Sequence, residues 1–92
     1  MKYEIELTDS ALKGIKQLRK GGEIQVLKKL KSLLLELEEH PTTGTGKPEQ
    51  LRGNLSGMWS RRITDKHRLV YEVIEEKILV LVLSTYGHYG DK

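Results

Sequence analysis

From Lys2 to Leu7, polar Lys2, Glu4 and Glu6 alternate with apolar Tyr3, Ile5 and Leu7, the two-residue period of a strand with one buried face. The period then changes. Ala11, Ile15 and Leu18 recur at helical spacing, with Thr8, Asp9 and Ser10 offering N-cap groups before them and Gly21-Gly22 ending the segment. A longer helix is predicted over Glu23 to Glu39: Ile24, Leu27, Leu30, Leu34 and Leu37 form one stripe, widened by Val26 and Leu33, while lysines and glutamates fill the other face. Proline disfavours helix in the residue before it, so the helix stops by His40-Pro41. Thr42 to Pro48, with Gly44 and Gly46, reads as a loop without core residues that delivers the chain to Glu49.

Beyond this loop the pattern is that of short strands. Gln50 to Arg52 could form a small one, Gly53 to Gly57 a turn, Met58 to Thr64 a strand, and Asp65-Lys66 a turn before the strand Arg68 to Ile74. Glu75-Glu76-Lys77 separates that strand from Ile78 to Leu83, an unbroken apolar run expected of a central strand covered on both faces. The predicted fold class is α+β in the order β-α-α-β-β-β, with two helices packed on one face of a mostly antiparallel twisted sheet. The opposite face would stay partly open, and residues 1–92 are expected to form one domain.

Composition narrows the function. No cysteine is present, which excludes disulfides and thiolate metal sites, and three histidines make a structural metal improbable. No run approaches the roughly 20 apolar residues of a membrane span, and the alternating start does not read as a signal peptide, so no membrane role and a cytoplasmic location are expected. Charge is uneven: from Gly44 to Tyr71, Lys47, Arg52, Arg61, Arg62, Lys66 and Arg68 face only Glu49 and Asp65, a local balance of +4. Such a surface favours a polyanionic partner through counterion release.

RNA carries its own nucleophile, the 2′-hydroxyl, so cleaving it requires a base, an acid and positive charge but no metal or cofactor. Glu49 follows a Gly/Pro loop inside the basic segment, where it is either an ionised base or a surface glutamate paired with Lys47 or Arg52. His88 follows the last strand and is either an acid near neutral pH or an exposed histidine in a fraying tail. Tyr89 beside it could stack on a base or cover the core margin. Strand neighbours point to opposite faces, so Arg61 and Arg62 cannot both serve one site; one of them with Arg68 could clamp a phosphate. His67 reads as a supporting residue or an idle turn histidine, and Trp59 as a core anchor.

Gly46-Lys47-Pro48-Glu49-Gln50-Leu51, then Asn54-Leu55-Ser56-Gly57-Met58-Trp59-Ser60-Arg61-Arg62-Ile63, His67-Arg68-Leu69-Val70-Tyr71 and the closing Tyr86-Gly87-His88-Tyr89 together resemble the YoeB/Txe branch of the RelE/ParE toxin superfamily. The resemblance spans about the second half of the chain in one order. It implies a bacterial type II toxin that acts as a metal-independent endoribonuclease, cutting messenger RNA in the A site of the 70S ribosome. By motif, Glu49 corresponds to the general base, His88 to the general acid and Arg68 to the transition-state stabiliser. Arg62 and Lys47 correspond to phosphate contacts, Arg52 to a position where relatives carry lysine, and Tyr89 to a substrate-orienting tyrosine. The chain runs on through Gly90-Asp91-Lys92 where many relatives end. A cognate YefM/Axe-like antitoxin is implied, with operator DNA bound only by the toxin-antitoxin complex. The alternatives are a non-catalytic ParE-like binding toxin and a plain RNA-binding module.

Overall fold

The computed structural model describes residues 2–51 and 57–86. Strand β1 (Glu4–Leu7) leads into helix α1 (Asp9–Lys20), and helix α2 (Ile24–Leu37) follows at once. Thr8 caps α1: its hydroxyl oxygen accepts from the Ala11 N–H at 3.2 Å while its hydroxyl donates to the Val82 carbonyl at 3.0 Å, so one side chain starts the helix and ties it to the sheet. Among the described residues four strands follow: β2 (Glu49–Gln50), β3 (Met58–Arg62), β4 (Arg68–Ile74) and β5 (Leu79–Ser84). A single turn of 3₁₀ helix, Glu75–Lys77, joins β4 to β5 and ends at Ile78 in the left-handed conformation.

The sheet order is β1-β5-β4-β3-β2, with β1 parallel to β5 and every other pair antiparallel. This is the expected α+β arrangement, extended by β2, which begins one residue before the segment anticipated from sequence. Both helices lie on one side of the sheet. Ala11, Leu18, Leu30, Leu33 and Leu37 from the helices meet Ile63, Leu69, Tyr71, Val80 and Val82 in one buried cluster. Each fully buried large apolar side chain there is worth about 1.5–3 kcal/mol.

One expectation changes. β5 is central, between β1 and β4, but only Val80 and Val82 are buried, whereas Leu79, Leu81 and Leu83 are half-buried. The strand is fully covered on its helix side alone. The side away from the helices receives Glu4 and Glu6 of β1 and, in cross-strand register, Glu72 and Arg68 of β4, so it is polar at both ends.

Candidate functional site

The register of β3 against β4 sets Arg62 directly opposite Arg68. Directly opposed residues share a face, and Arg62 alternates with the buried Arg61, so both Arg62 and Arg68 stand on the side of the sheet without helices. Like charges opposed across two strands repel, an arrangement that a sheet selected only for stability avoids. Arg62 Nη1 lies 3.6 Å from the exposed Asp65, and Arg68 Nη1 donates to the Ser60 hydroxyl at 3.3 Å.

Ser60, two residues before Arg62, shares this face and pairs with Glu49 on β2 and Val70 on β4. The row Glu49, Ser60, Val70 therefore runs beside the row Arg62, Arg68. An open hollow of about 270 Å³ forms over them, lined by Gly46, Lys47, Pro48, Glu49, Arg62 and Arg68. One carboxylate and three cations thus meet on an accessible surface, where an anionic strand can enter. A bulge in the pairing of β4 with β5, between Val70 and Tyr71, lies close to Arg68; bulges re-aim side chains next to sites.

The loop before β2 is shaped to reach this position. Lys47 takes a left-handed backbone (φ 53°), unusual for a residue with a β-carbon, and Gly46 before it has φ 85°. A β-carbon on Gly46 would come within 2.8 Å of the Arg62 carbonyl, and the Gly46 carbonyl accepts from the Arg62 N–H at 2.8 Å. Lys47 is held in its strained conformation by that close approach, a pattern typical of functional loops.

Beneath the loop lies a group not singled out from sequence as a unit. Arg61 is fully buried on the helix side, and its guanidinium donates to the Glu36 carboxylate and the His40 carbonyl, to the Thr43 carbonyl at 2.5 Å, to the Thr45 carbonyl at 3.1 Å and to the Tyr71 hydroxyl at 3.0 Å. Tyr71 passes the chain on by donating to the Pro41 carbonyl at 2.6 Å, and Glu36 accepts from the Thr45 N–H at 2.7 Å and its hydroxyl at 3.0 Å. Burial alone would raise the Glu36 carboxyl, but the Thr45 donors and Arg61 outweigh it and hold the group below its ordinary range. Burial raises the Tyr71 phenol despite Arg61, which keeps it protonated as a donor.

His67 is buried, with Nε2 3.7 Å from Glu23 and its ring 4.7 Å from that of Tyr86. It joins the β3–β4 turn to the start of α2 and the end of β5, a supporting position. Trp59 is half-buried against the core and does not line the hollow. Arg52, His88 and Tyr89 lie outside the described residues. A larger hollow of about 450 Å³ on α1 is lined by Lys13, Lys16, Gln17, Lys20 and Tyr86, and among the described residues it holds neither carboxylate nor imidazole.

Residues 8–89 match the family model described as YoeB-like toxin of bacterial type II toxin-antitoxin system. The chain is 48% identical over 56 residues to Toxin YoeB of Escherichia coli K12, a match covering 61% of this chain and 67% of that one. Its fold is similar to that of the YoeB/ParE toxin from Agrobacterium tumefaciens, with a TM-score of 0.85 and 31% identity over 94% of this chain and 99% of the other. It is also similar to a chain of the YoeB-YefM complex from Staphylococcus aureus, with a TM-score of 0.77 and 32% identity over 97% of this chain and 100% of that one.

Proposed function

The chain belongs to the YoeB-like toxins of bacterial type II toxin-antitoxin systems, and from that premise we propose that it is a ribosome-dependent endoribonuclease that cleaves messenger RNA in the A site and so stops translation. The observation that carries this reading is the hollow in which Glu49 and Lys47 stand over the opposed pair Arg62 and Arg68. An RNA phosphate seated on the two guanidinium groups places its neighbouring 2′-hydroxyl on the side of the carboxylate.

In this mechanism Glu49 accepts the 2′-hydroxyl proton as the oxygen attacks phosphorus. Arg68, with Arg62, stabilises the charge that accumulates on the phosphorane-like transition state. The bond from phosphorus to the 5′-oxygen breaks, and His88 donates its proton to that oxygen. The products are a 2′,3′-cyclic phosphate and a 5′-hydroxyl, with no metal or cofactor in the step. Lys47 and Arg52 bind flanking phosphates and Tyr89 orients the substrate. These assignments for Arg52, His88 and Tyr89 rest on their sequence motifs.

The partner that restrains the activity is a cognate antitoxin of the YefM kind, as the S. aureus relative solved with YefM suggests. An acidic segment laid over the basic hollow would cover Arg62 and Arg68 by charge complementarity. The proposed setting is the cytoplasm, with the chain acting as one toxin domain and binding operator DNA only together with its antitoxin. Among the described residues no helix is long and apolar enough to cross a membrane.

Primer extension on a defined message in a reconstituted translation reaction tests the reading. Wild-type protein is expected to cut at A-site codons, and Glu49→Gln or His88→Ala to cut roughly 10²- to 10⁴-fold more slowly, the usual loss on removing a general base or acid. Full-length message despite arrested translation would replace this reading with that of a binding toxin.

A further inference from the structure

We infer that Glu36 and Arg61 are positioning residues for Glu49: they act on cleavage without touching RNA, by fixing the path of the loop that carries Lys47 and Glu49. The inference rests on the ribonuclease reading above.

The loop from Thr42 to Pro48 contributes no side chain to the apolar core, so packing does not hold it. Its backbone is held instead. Arg61 takes the carbonyls of His40, Thr43 and Thr45, Tyr71 takes that of Pro41, and the Arg62 N–H takes that of Gly46. Glu36 closes the set by accepting both donors of Thr45 and the Arg61 guanidinium. The loop crosses that carboxylate so closely that a β-carbon on Gly44 would lie 2.3 Å from Glu36 Oε1.

The choice of residue points the same way. A buried ion pair is a poor source of stability, since well-packed apolar side chains of similar volume often serve as well or better. Arg61 is fully buried and faces away from the hollow, so it cannot meet a phosphate. What a planar guanidinium supplies that an apolar side chain or a lysine cannot is several donors in fixed directions, here aimed at successive carbonyls of one loop. Its neighbour Arg62 serves the other face of the same strand. One dipeptide thereby fixes the loop from below and presents a cation above, so the base and the phosphate site are referred to the same two residues.

The test compares kcat and KM for A-site cleavage on programmed ribosomes among wild type, Glu36→Ala, Glu36→Gln, Arg61→Lys, Glu49→Gln and the double variant Glu36→Ala/Glu49→Gln. A displaced base lowers kcat, by about 10²-fold for a shift on the order of 1 Å, while KM stays within about twofold because Arg62 and Arg68 remain. In the Glu49→Gln background Glu36→Ala costs nothing further. Glu36→Gln keeps the size and most acceptors of the side chain, so it folds where Glu36→Ala does not, and its kcat also falls. Val80→Ala, which destabilises the core where β5 pairs with Val73 and Ile5, retains wild-type kcat while circular dichroism shows it folded, separating position from stability. Wild-type kcat in folded Glu36→Gln and Arg61→Lys, or an undiminished effect of Glu36→Ala without Glu49, would overturn the inference. Either result beside a slow Glu49→Gln leaves the ribonuclease reading intact, whereas a fast Glu49→Gln removes that reading and the inference with it.

Discussion

The two sides of the sheet use the same residue type for opposite purposes. On the helix side Arg61 is sealed from water and meets five acceptors; on the open side Arg62 is about half exposed, faces Arg68, and lies 3.6 Å from an exposed aspartate. The first arrangement is satisfied and rigid. The second is charged and accessible, with repulsion that a bound polyanion relieves. Successive positions on one strand thus separate a cation that is sealed into the fold from one that stands open to solvent, and identity of residue says nothing about which is which.

The sharpest way to break this comparison is Arg61→Met. Removing the buried member of this partly exposed pair leaves Glu36 and several loop carbonyls without their donor, and the expected cost is about 1–3 kcal/mol in urea denaturation. A loss of only a few tenths of a kcal/mol would show that Arg61 is no keystone. Acid sharpens the same point. Because the Glu36 carboxyl is held below its ordinary value, its contribution is fully present at neutral pH and fades from about pH 4.5 downward, as pH falls through the folded-state value. The stability gap between wild type and Glu36→Gln should therefore shrink between pH 7 and pH 3; a constant gap would contradict it. Arg62→Ser is expected to shift stability by no more than about 0.5 kcal/mol. In the same variant the slope of log affinity for RNA against log salt falls by about one phosphate contact.

Much of this architecture was legible because period reports burial: Ala11, Leu18, Leu30 and Leu37 had helical spacing and occupy the core. Ile78 to Leu83 was harder, since an unbroken apolar run carries no period, and the half-buried state of Leu79, Leu81 and Leu83 is set by what the rest of the sheet leaves uncovered. β2 has two residues, too few to show any pattern. Lys47, Glu49, Arg62 and Arg68 could be grouped from sequence and meet in one hollow. The Glu36 and Arg61 pair was hidden for a physical reason: its members are 25 positions apart, and Glu36 looks like any glutamate on the wet side of a helix. The glycines at 44 and 46 were the available signal, since they mark where a backbone must pass closely over something.

The parallel pairing of β1 with β5 also fixes when the molecule can take shape. Glu4 must find Leu79, and the strand that completes the sheet's centre is synthesised after every other described element. Until Val80 and Val82 emerge, the two helices have no finished surface to cover, and contacts of such long sequence separation form slowly. A growing chain therefore remains without its core until β5 has been made, so order arrives late and all at once, after every other described element has already been synthesised.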